Sequence, residues 1–323
     1  MDEEKDQGKW RKALITGGAG FVGSHLAERL LSSDVETRIL DNFSSGFRSN
    51  VPKGAILIEG DVRKEEDVEI ASRDADVIFH LAEFIPNNPG HIIRYSSSNP
   101  RSDLDVCVGG TINVLDKARK NDSQFVLTST AAVYGSGSLP LREDSKTLPI
   151  SPYGVAKLCA EEYAELYHRS YGIPVTIFRF FNLFGPRQRK YLMYDCLNKM
   201  NENPKRVELL GDGKEVRDYI FVNDAIDQVL ALSKLPTDSE SIFNIGSGAG
   251  RTTLEIAQTL ARHLGINPEF VLLGNPWPGN SSGLVADVSK SKSYLGEVLT
   301  DFDESLGHLI SWYRNQASSQ ARI

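Results

Sequence analysis

KALITGGAGFVGSHLAERLL (12–31) decides the fold. Its first five residues form a short apolar run, which reads as a buried strand, while Phe21, Val22, Leu26 and Leu30 recur at helical spacing. Between them Gly17, Gly20 and Gly23 sit three apart. Gly17 permits the tight turn, Gly20 lets the backbone approach a pyrophosphate, and Gly23 lets the helix pack closely. The helix N-terminus offers N–H groups and partial positive charge to phosphates. A plain strand-to-helix turn is the competing reading. Context weighs against it, because Asp41 follows Gly23 by eighteen residues and ends the next strand. A carboxylate there accepts both ribose hydroxyls of an adenosine and repels a 2′-phosphate, which favours NAD over NADP. A turn role before Asn42 is the alternative for Asp41.

Working outward, VETRIL (35–40), AILIE (55–59), DVIFHL (76–81), QFVLT (124–128) and PVTIFRF (174–180) read as further strands. A helical stretch covers about 103–120. Another opens at Ser151 and Pro152 and stops at Gly172 and Pro174. Strands alternating with helices predict an α/β fold: a doubly wound, Rossmann-type parallel sheet with a smaller C-terminal α/β substrate-binding region. After about residue 180 the pattern loosens, and RVELL (206–210) and IFNIG (242–246) read as isolated strands of that smaller region. The expected plan is a disordered tail over 1–10 and an NAD-binding domain over 11–180. Residues 216–248 partly return to that domain, and 181–317 are mainly substrate-binding. Ligands of such sheets bind at the carboxyl ends of the strands, where Asp41, Asp61, His80 and Thr128–Thr130 fall. Asp61, in GDVR (60–63), is placed to approach the adenine; an ordinary turn aspartate is nearly as good a reading.

Composition narrows the partners. Against 36 Lys and Arg stand 43 Asp and Glu, a net charge of −7. That balance disfavours nucleic acid and anionic membranes, and an anionic substrate would need a local cation. Cys107, Cys159 and Cys196 are odd in number and far apart, so neither a disulfide framework nor a metal site is expected, and a reducing, cytoplasmic setting is. The polar start MDEEKDQGKWRK has no apolar core of a signal peptide.

Catalytic candidates are Thr130, Tyr153 and Lys157. Tyr153 and Lys157 lie one helical turn apart in SPYGVAK (151–157), and Thr130 follows the fifth strand. A free tyrosine, with a pKa near ~10, is a poor base at neutral pH. A cation one turn away favours the phenolate, so Tyr153 is expected to take a proton from a sugar hydroxyl as hydride leaves the same carbon. The Thr130 hydroxyl is placed to bond the reacting oxygen, and Lys157 to reach the nicotinamide ribose. The bland alternative is a helix whose exposed face carries Tyr153, Lys157 and Glu161.

At this point the chain resembles the extended short-chain dehydrogenase/reductase family, in its nucleotide-sugar epimerase/dehydratase branch. It is most similar to UDP-glucose 4-epimerase-like members. The carriers, over about residues 11–314, are TGGAGFVGSHL, LDNFSSG (40–46), GDVR, HLA (80–82), STAAVYG (129–135), SPYGVAK, RFFNLFGPRQ (179–188), GDGKEVRDYIFVNDA (211–225), FNIGSG (243–248) and ADVSKSKSYLG (286–296). The resemblance implies tightly bound NAD, held by Gly17, Gly20, Phe21, Val22, Asp41, Asn42, Asp61, Val62, Leu81 and Ala82 with Tyr153 and Lys157. It implies Tyr153 as base, Lys157 as its partner and Thr130 as hydroxyl helper. Asn182 and Arg217 would contact a nucleotide-diphosphate sugar, and a guanidinium suits a diphosphate. A turn role for Asn182, and a surface ion pair of Arg217 with Asp218 or Asp224, are the alternatives. A homodimer with a four-helix interface is implied as well.

Four departures bear on the substrate. Hexose 4,6-dehydratases carry Asp and Glu after the threonine; here Ala131 and Ala132 stand there, which favours epimerisation. The loop of 80–100 is longer than usual and carries Glu83, an acid/base, a sugar-hydroxyl acceptor or a group turned outward. Cys107 replaces a usual Asn and is expected to be a small core hydrophobe rather than a catalytic thiol. Trp277 replaces a diphosphate-binding arginine and is suited to stack on a base or sugar. The function expected is C4 epimerisation of a UDP-glucose/UDP-galactose-type substrate through a 4-keto intermediate. A dehydratase or decarboxylase on the same intermediate, and an NAD-binding sensor, are the rivals.

Overall fold

In chain order the strands are β1 (Lys12–Thr16), β2 (Glu36–Asp41), β3 (Ile56–Glu59), β4 (Val77–His80), β5 (Gln124–Thr130), β6 (Val175–Phe180), β7 (Asn182–Phe184), β8 (Arg206–Leu209), β9 (Val216–Phe221), β10 (Ile242–Ile245), β11 (Gly250–Thr252), β12 (Glu269–Leu272) and β13 (Gly283–Leu284). The helices are α1 (Phe21–Ser32), α2 (Glu65–Ser72), α3 (Pro100–Asp103), α4 (Gly110–Asn121), α5 (Pro152–Tyr171), α6 (Tyr191–Glu202), α7 (Val222–Leu232), α8 (Thr253–Leu264), α9 (Ser289–Leu295) and α10 (Phe302–Gln320). This computed structural model describes residues 10–84, 96–236, 242–274, 283–297 and 299–320. Among them no helix is long and apolar enough to cross a membrane.

The main sheet has seven strands in the order β10-β6-β5-β4-β1-β2-β3. Each neighbouring pair is parallel. Its central strands are largely apolar until their carboxyl ends, because helices cover both faces. One face packs α1 and α7 on Ile15, Ile39 and Phe79; the other packs α2, α4 and α5 on Leu14, Ile78 and Phe125. The chain leaves β1 toward β2 on one side and later toward β4 on the other, so a crevice opens at the carboxyl end of β1.

One strand assignment changes on folding. IFNIG does not belong to a smaller region: β10 pairs in parallel with β6 and extends the main sheet. The strand-by-strand reading assigns it to the smaller region, although the expected partial return of 216–248 to the NAD-binding domain contains it. RVELL does lie outside the main sheet, where β8 pairs with β12. A second small sheet joins β7, β11 and β13 to β9. Trp10, assigned by sequence to the tail, packs edge-on against Phe79 and donates to the Gln124 side chain at 3.1 Å.

The expected helix over 103–120 is continuous but not uniform. Leu104–Gly109 adopts π-helical geometry between α3 and α4. Such widened turns are frequent at functional sites, and this one carries Cys107.

Candidate active site

The glycine turn is built as its spacing requires. Gly17 adopts φ +72°, and a Cβ there would lie 2.9 Å from the Ala82 nitrogen. At Gly23 a Cβ would meet the Gly17 oxygen at 2.5 Å. No side chain caps α1, whose N-cap is Gly20. The first-turn N–H groups are therefore orphans of the kind a phosphate satisfies.

A cleft of about 620 Å³ opens in front of this turn, at the carboxyl ends of the strands. Gly17, Gly20, Phe21, Val22, Asp41 and Asn42 line it, and so do Asp61, Val62, Leu81 and Ala82. Asp41 is buried and accepts from the Ala19 and Phe43 amides at 2.9 and 2.8 Å. Burial raises its pKa despite those two bonds. The turn role and the cleft position therefore coincide in one carboxylate. Asp61 takes Nε and Nη2 of Arg63 at 2.9 and 2.6 Å and the Asn42 amide at 3.0 Å. The Arg63 guanidinium holds its carboxyl well below the usual range.

Behind the glycine turn a directed chain of hydrogen bonds ties β1 to β4 and the π turn. The Thr111 hydroxyl donates to the Cys107 carbonyl, so it accepts from His80 Nε2–H at 3.1 Å. His80 Nδ1 then accepts from the Thr16 hydroxyl at 2.7 Å. Thr16 in turn accepts from the Leu81 and Ala82 amides. Burial, then the charge of Lys157, lowers the His80 pKa to about 3.

Thr130 ends β5 and caps the following turn by accepting from the Ala132 amide at 3.2 Å, leaving its own proton to donate. Ser151 caps α5 by accepting from the Gly154 amide at 3.1 Å, with Pro152 in the first turn. Gly154 lets the two caps meet: a Cβ there would fall 2.7 Å from the Ala132 oxygen. The start of α5 thus docks on the end of β5, and Tyr153 and Thr130 line one wall.

Tyr153, Lys157 and Glu161 are all buried, which removes the exposed-face alternative. Lys157 Nζ donates to the Thr128 carbonyl at 3.0 Å and lies 3.3 Å from Glu83 Oε2. Glu161 pairs with Arg179 at 2.7 Å, both buried, and accepts from Ser129. That pair pins α5 to β5 and β6 one turn beyond Lys157.

One electrostatic expectation is corrected. The net shift of Tyr153 is upward, not downward. Burial, then the charge of Glu83 and a hydrogen bond to it, push the phenol well above its ordinary value. Burial works against the Lys157 charge, but Glu83, with Cys107 and Glu161, outweighs it and raises the lysine pKa. Glu83 does not turn outward: its side chain is 14% exposed and lines the cleft.

On the substrate side, Asn182 and Arg217 line the same cleft. Asn182 donates to the Asp218 carbonyl at 3.2 Å, and Arg217 to the Val216 carbonyl at 2.8 Å. Burial lowers the Arg217 pKa. The surface-pair alternative loses its partners. Asp218 accepts from Ser247, Gly248 and Ala286, and Asp224 from Thr300. Ala131 and Ala132 stand in the wall beside Thr130 with no carboxylate to offer. Cys107 is buried and its thiol pushed up to about 12 by burial, as a core residue's would be. Trp277 and residues 85–95 of the long loop lie outside the described residues.

Sequence reasoning missed Asp103, a 1% exposed carboxylate that accepts from the Ser96 hydroxyl and shares the field of Glu83 and Lys157. It also missed Arg187, Lys190 and Tyr191, which line the cleft between β7 and α6. The basic run PRQRK (186–190) was the available signal.

The chain resembles known proteins in sequence and fold. The sequence profile of the NAD dependent epimerase/dehydratase family matches residues 13–246, and the chain belongs to that family. It is 30% identical to the UDP-glucose 4-epimerase of Azospirillum brasilense over 95% of this chain and 93% of that protein. It is 32% identical to UDP-glucuronic acid decarboxylase 1 of Arabidopsis thaliana, over 94% of this chain and 70% of that one. The crystal structure of the Thermotoga maritima UDP-glucose 4-epimerase with UDP-glucose superposes with a TM-score of 0.87 at 30% identity, covering 95% and 99% of the two chains.

NAD is the family's cofactor, and the residues present fit it. The backbone cradle at Gly17 and Gly23 has no room for side chains, the α1 N-terminus is uncapped, and a buried acid stands at the end of β2.

Proposed function

We propose that the chain is an NAD-dependent 4-epimerase of a nucleotide-diphosphate sugar, of the UDP-glucose/UDP-galactose type. The observation that carries this reading is that Thr130 and Tyr153 line the cleft, with Lys157 buried one helical turn behind Tyr153 and not itself in the lining, and with Ala131 and Ala132 in place of acids. Bound NAD supplies a reversible hydride acceptor. Tyr153 exchanges a proton with the C4 oxygen, and the free hydroxyl proton of Thr130 bonds that oxygen as charge develops on it. Lys157, held by Thr128 and Glu83, fixes the charge behind Tyr153. Asn182 and Arg217 hold the diphosphate; Trp277 stacks on the base or sugar. The flat 4-keto sugar turns over, and reduction on its other face gives the epimer with no net oxidation.

The homologous 4-epimerase from Thermotoga maritima, crystallised with UDP-glucose, supports a UDP-sugar as substrate. A cytoplasmic homodimer is proposed with it. Three unpaired cysteines support the compartment, and exposed Val155 and Leu166 on α5, with Leu104 beside α4, support a helical interface.

Incubation with UDP-glucose, UDP-galactose, their N-acetyl forms and UDP-glucuronate, without added cofactor, tests the reading. An epimer of unchanged mass is expected. Two buried carboxylates at the site, Glu83 and Asp103, favour decarboxylation or dehydration as the second reading. A product lighter by carbon dioxide or water would establish it instead.

A further inference from the structure

Glu215, Arg217 and Tyr219 all line the cleft, while Val216, Asp218 and Ile220 do not. That spacing of two is the alternation of an extended chain, so the three side chains form one row along β9 and the residue before it. The row has a direction. Thr130 pairs with Phe180 at the end of β6, and two residues further Asn182 pairs with Tyr219. Tyr219 is therefore at the catalytic end. Each step of two residues is about 6.6 Å, so Arg217 comes next and Glu215 lies farthest along. The turn beside Glu215 is shaped around its carboxylate. Gly211 adopts φ +83°, and a Cβ there would overlap Glu215 Oε1. Glu215 Oε2 is buried without a hydrogen-bond partner among the described residues. A covered carboxylate oxygen that lacks a donor is costly, and a ligand hydroxyl relieves that cost. Leu209 and Leu210, which precede Gly211, line the cleft as well. So does Thr253, whose amide donates to the Glu215 carbonyl at 3.1 Å.

We propose that Glu215 binds the substrate ribose through its 2′ and 3′ hydroxyls and so selects ribonucleotide sugars over 2′-deoxyribonucleotide sugars. The proposal rests on the nucleotide-sugar reading, with Arg217 at the diphosphate. Such a substrate is itself a row: hexose, diphosphate, ribose, base. With the hexose beside Thr130 and Asn182 and the diphosphate on Arg217, the next group in line is the ribose. Its vicinal hydroxyls are two donors, and an ionised carboxylate only accepts. An acidic side chain holds the adenosine ribose of a dinucleotide by the same match. Two other occupants fit less well. A phosphate at Glu215 would meet like charge. A uracil edge offers one N–H between two carbonyl oxygens, so a carboxylate there would face an acceptor on either side. The base then lies against the apolar surface of Leu209 and Leu210. A 2′-deoxyribose leaves one carboxylate oxygen without its donor, and that loss is the source of the selection.

Calorimetric titration of the NAD-loaded enzyme with UDP and with 2′-deoxy-UDP tests this without reference to any sugar. Wild type should bind UDP about tenfold or more tightly than 2′-deoxy-UDP, the range for one hydrogen bond to a charged group. Glu215→Ala should bring the two affinities within about twofold of each other, because UDP loses its extra bond and 2′-deoxy-UDP has none to lose. Glu215→Gln keeps the shape and one acceptor oxygen, so its ratio should fall between those of wild type and Glu215→Ala. A purely structural Glu215 would weaken both nucleotides alike and leave the ratio unchanged. Equal affinities in wild type, or a wild-type ratio in Glu215→Ala and Glu215→Gln, would overturn the proposal while UDP binding itself still supports the nucleotide-sugar reading. Wild type that binds neither UDP nor UDP-glucose would overturn that reading and this proposal with it.

Discussion

The Thr16 hydroxyl donates to Nδ1 of His80 at 2.7 Å, so the ring is held neutral with its proton on Nε2. Its pKa is lowered to about 3, first by burial and then by Lys157. The unfolded chain binds this proton near the ordinary histidine value of about 6.5. A lowered pKa in the fold means stability is full above that value and falls as pH drops from about 6.5 toward 3, by at most about 5 kcal/mol. His25, lowered to about 4 chiefly by burial, acts in the same sense. Urea midpoints should therefore fall steadily below pH 6.5. The drop should shrink in His80→Asn, even though that variant starts less stable; a drop of equal size refutes the assignment.

Gly154 joins two caps that sequence reading treats separately. An alanine Cβ would lie 2.7 Å from the Ala132 carbonyl oxygen, a backbone atom that cannot swing aside. Gly154→Ala should cost about 1–3 kcal/mol in stability. It should lower kcat about tenfold or more by moving Tyr153 off Thr130. The backbone cradle at Gly17 and Gly23 is untouched by this contact, so NAD affinity should fall less than kcat. Melting temperature, kcat and an NAD titration together check it; unchanged kcat means the two caps do not need close contact.

What the sequence made legible was what is local. The glycine turn, Asp41, and the Tyr153–Lys157 spacing are each set within one turn or one strand-to-helix step, so residue order alone carries them. Glu83 was visible only as an oddity of residue type, because its orientation depends on the fold of a long loop. The sign of the Tyr153 shift was lost for the same reason: burial and a carboxylate from the loop after β4 raise it. Asp103 was invisible, since no motif marks it and the π turn after it follows from tertiary packing. β10 joins the sheet far from β6 in sequence, where alternation carries no pairing and only the coarse return of 216–248 was legible.

Asp41 should choose the cofactor. Its carboxylate is fixed by the Ala19 and Phe43 amides, which sets its position before any ribose arrives. Asp41→Asn keeps the shape and removes the charge. NAD affinity should fall by about tenfold to 100-fold, the range for a hydrogen bond to a charged group of about 1.5–3 kcal/mol. NADP should gain relative to NAD, because the repulsion of a 2′-phosphate is gone. Calorimetric titration with both cofactors measures this, and an unchanged NAD/NADP ratio removes Asp41 from the ribose.

Val155 and Leu166 lie eleven residues apart, three helical turns along one exposed stripe of α5. A carboxylate in that stripe would be buried unpaired in a helical dimer interface. Val155→Glu should therefore shift the protein from dimer to monomer in sedimentation velocity while leaving NAD binding intact. Wild type that sediments as a monomer rules the interface out.

Arg217 is half-buried on β9 and lines the same cleft as the glycine turn, and burial already works against its charge. A dianionic diphosphate would offset that cost, and its geometry matches a planar guanidinium fork. Arg217→Lys keeps the charge and loses the fork. KM for the nucleotide sugar should rise about tenfold with kcat within about threefold, because binding is lost equally from ground and transition states. A fall in kcat at constant KM would instead place Arg217 beside the reacting sugar, and the diphosphate would then need its cation from Arg187 or Lys190.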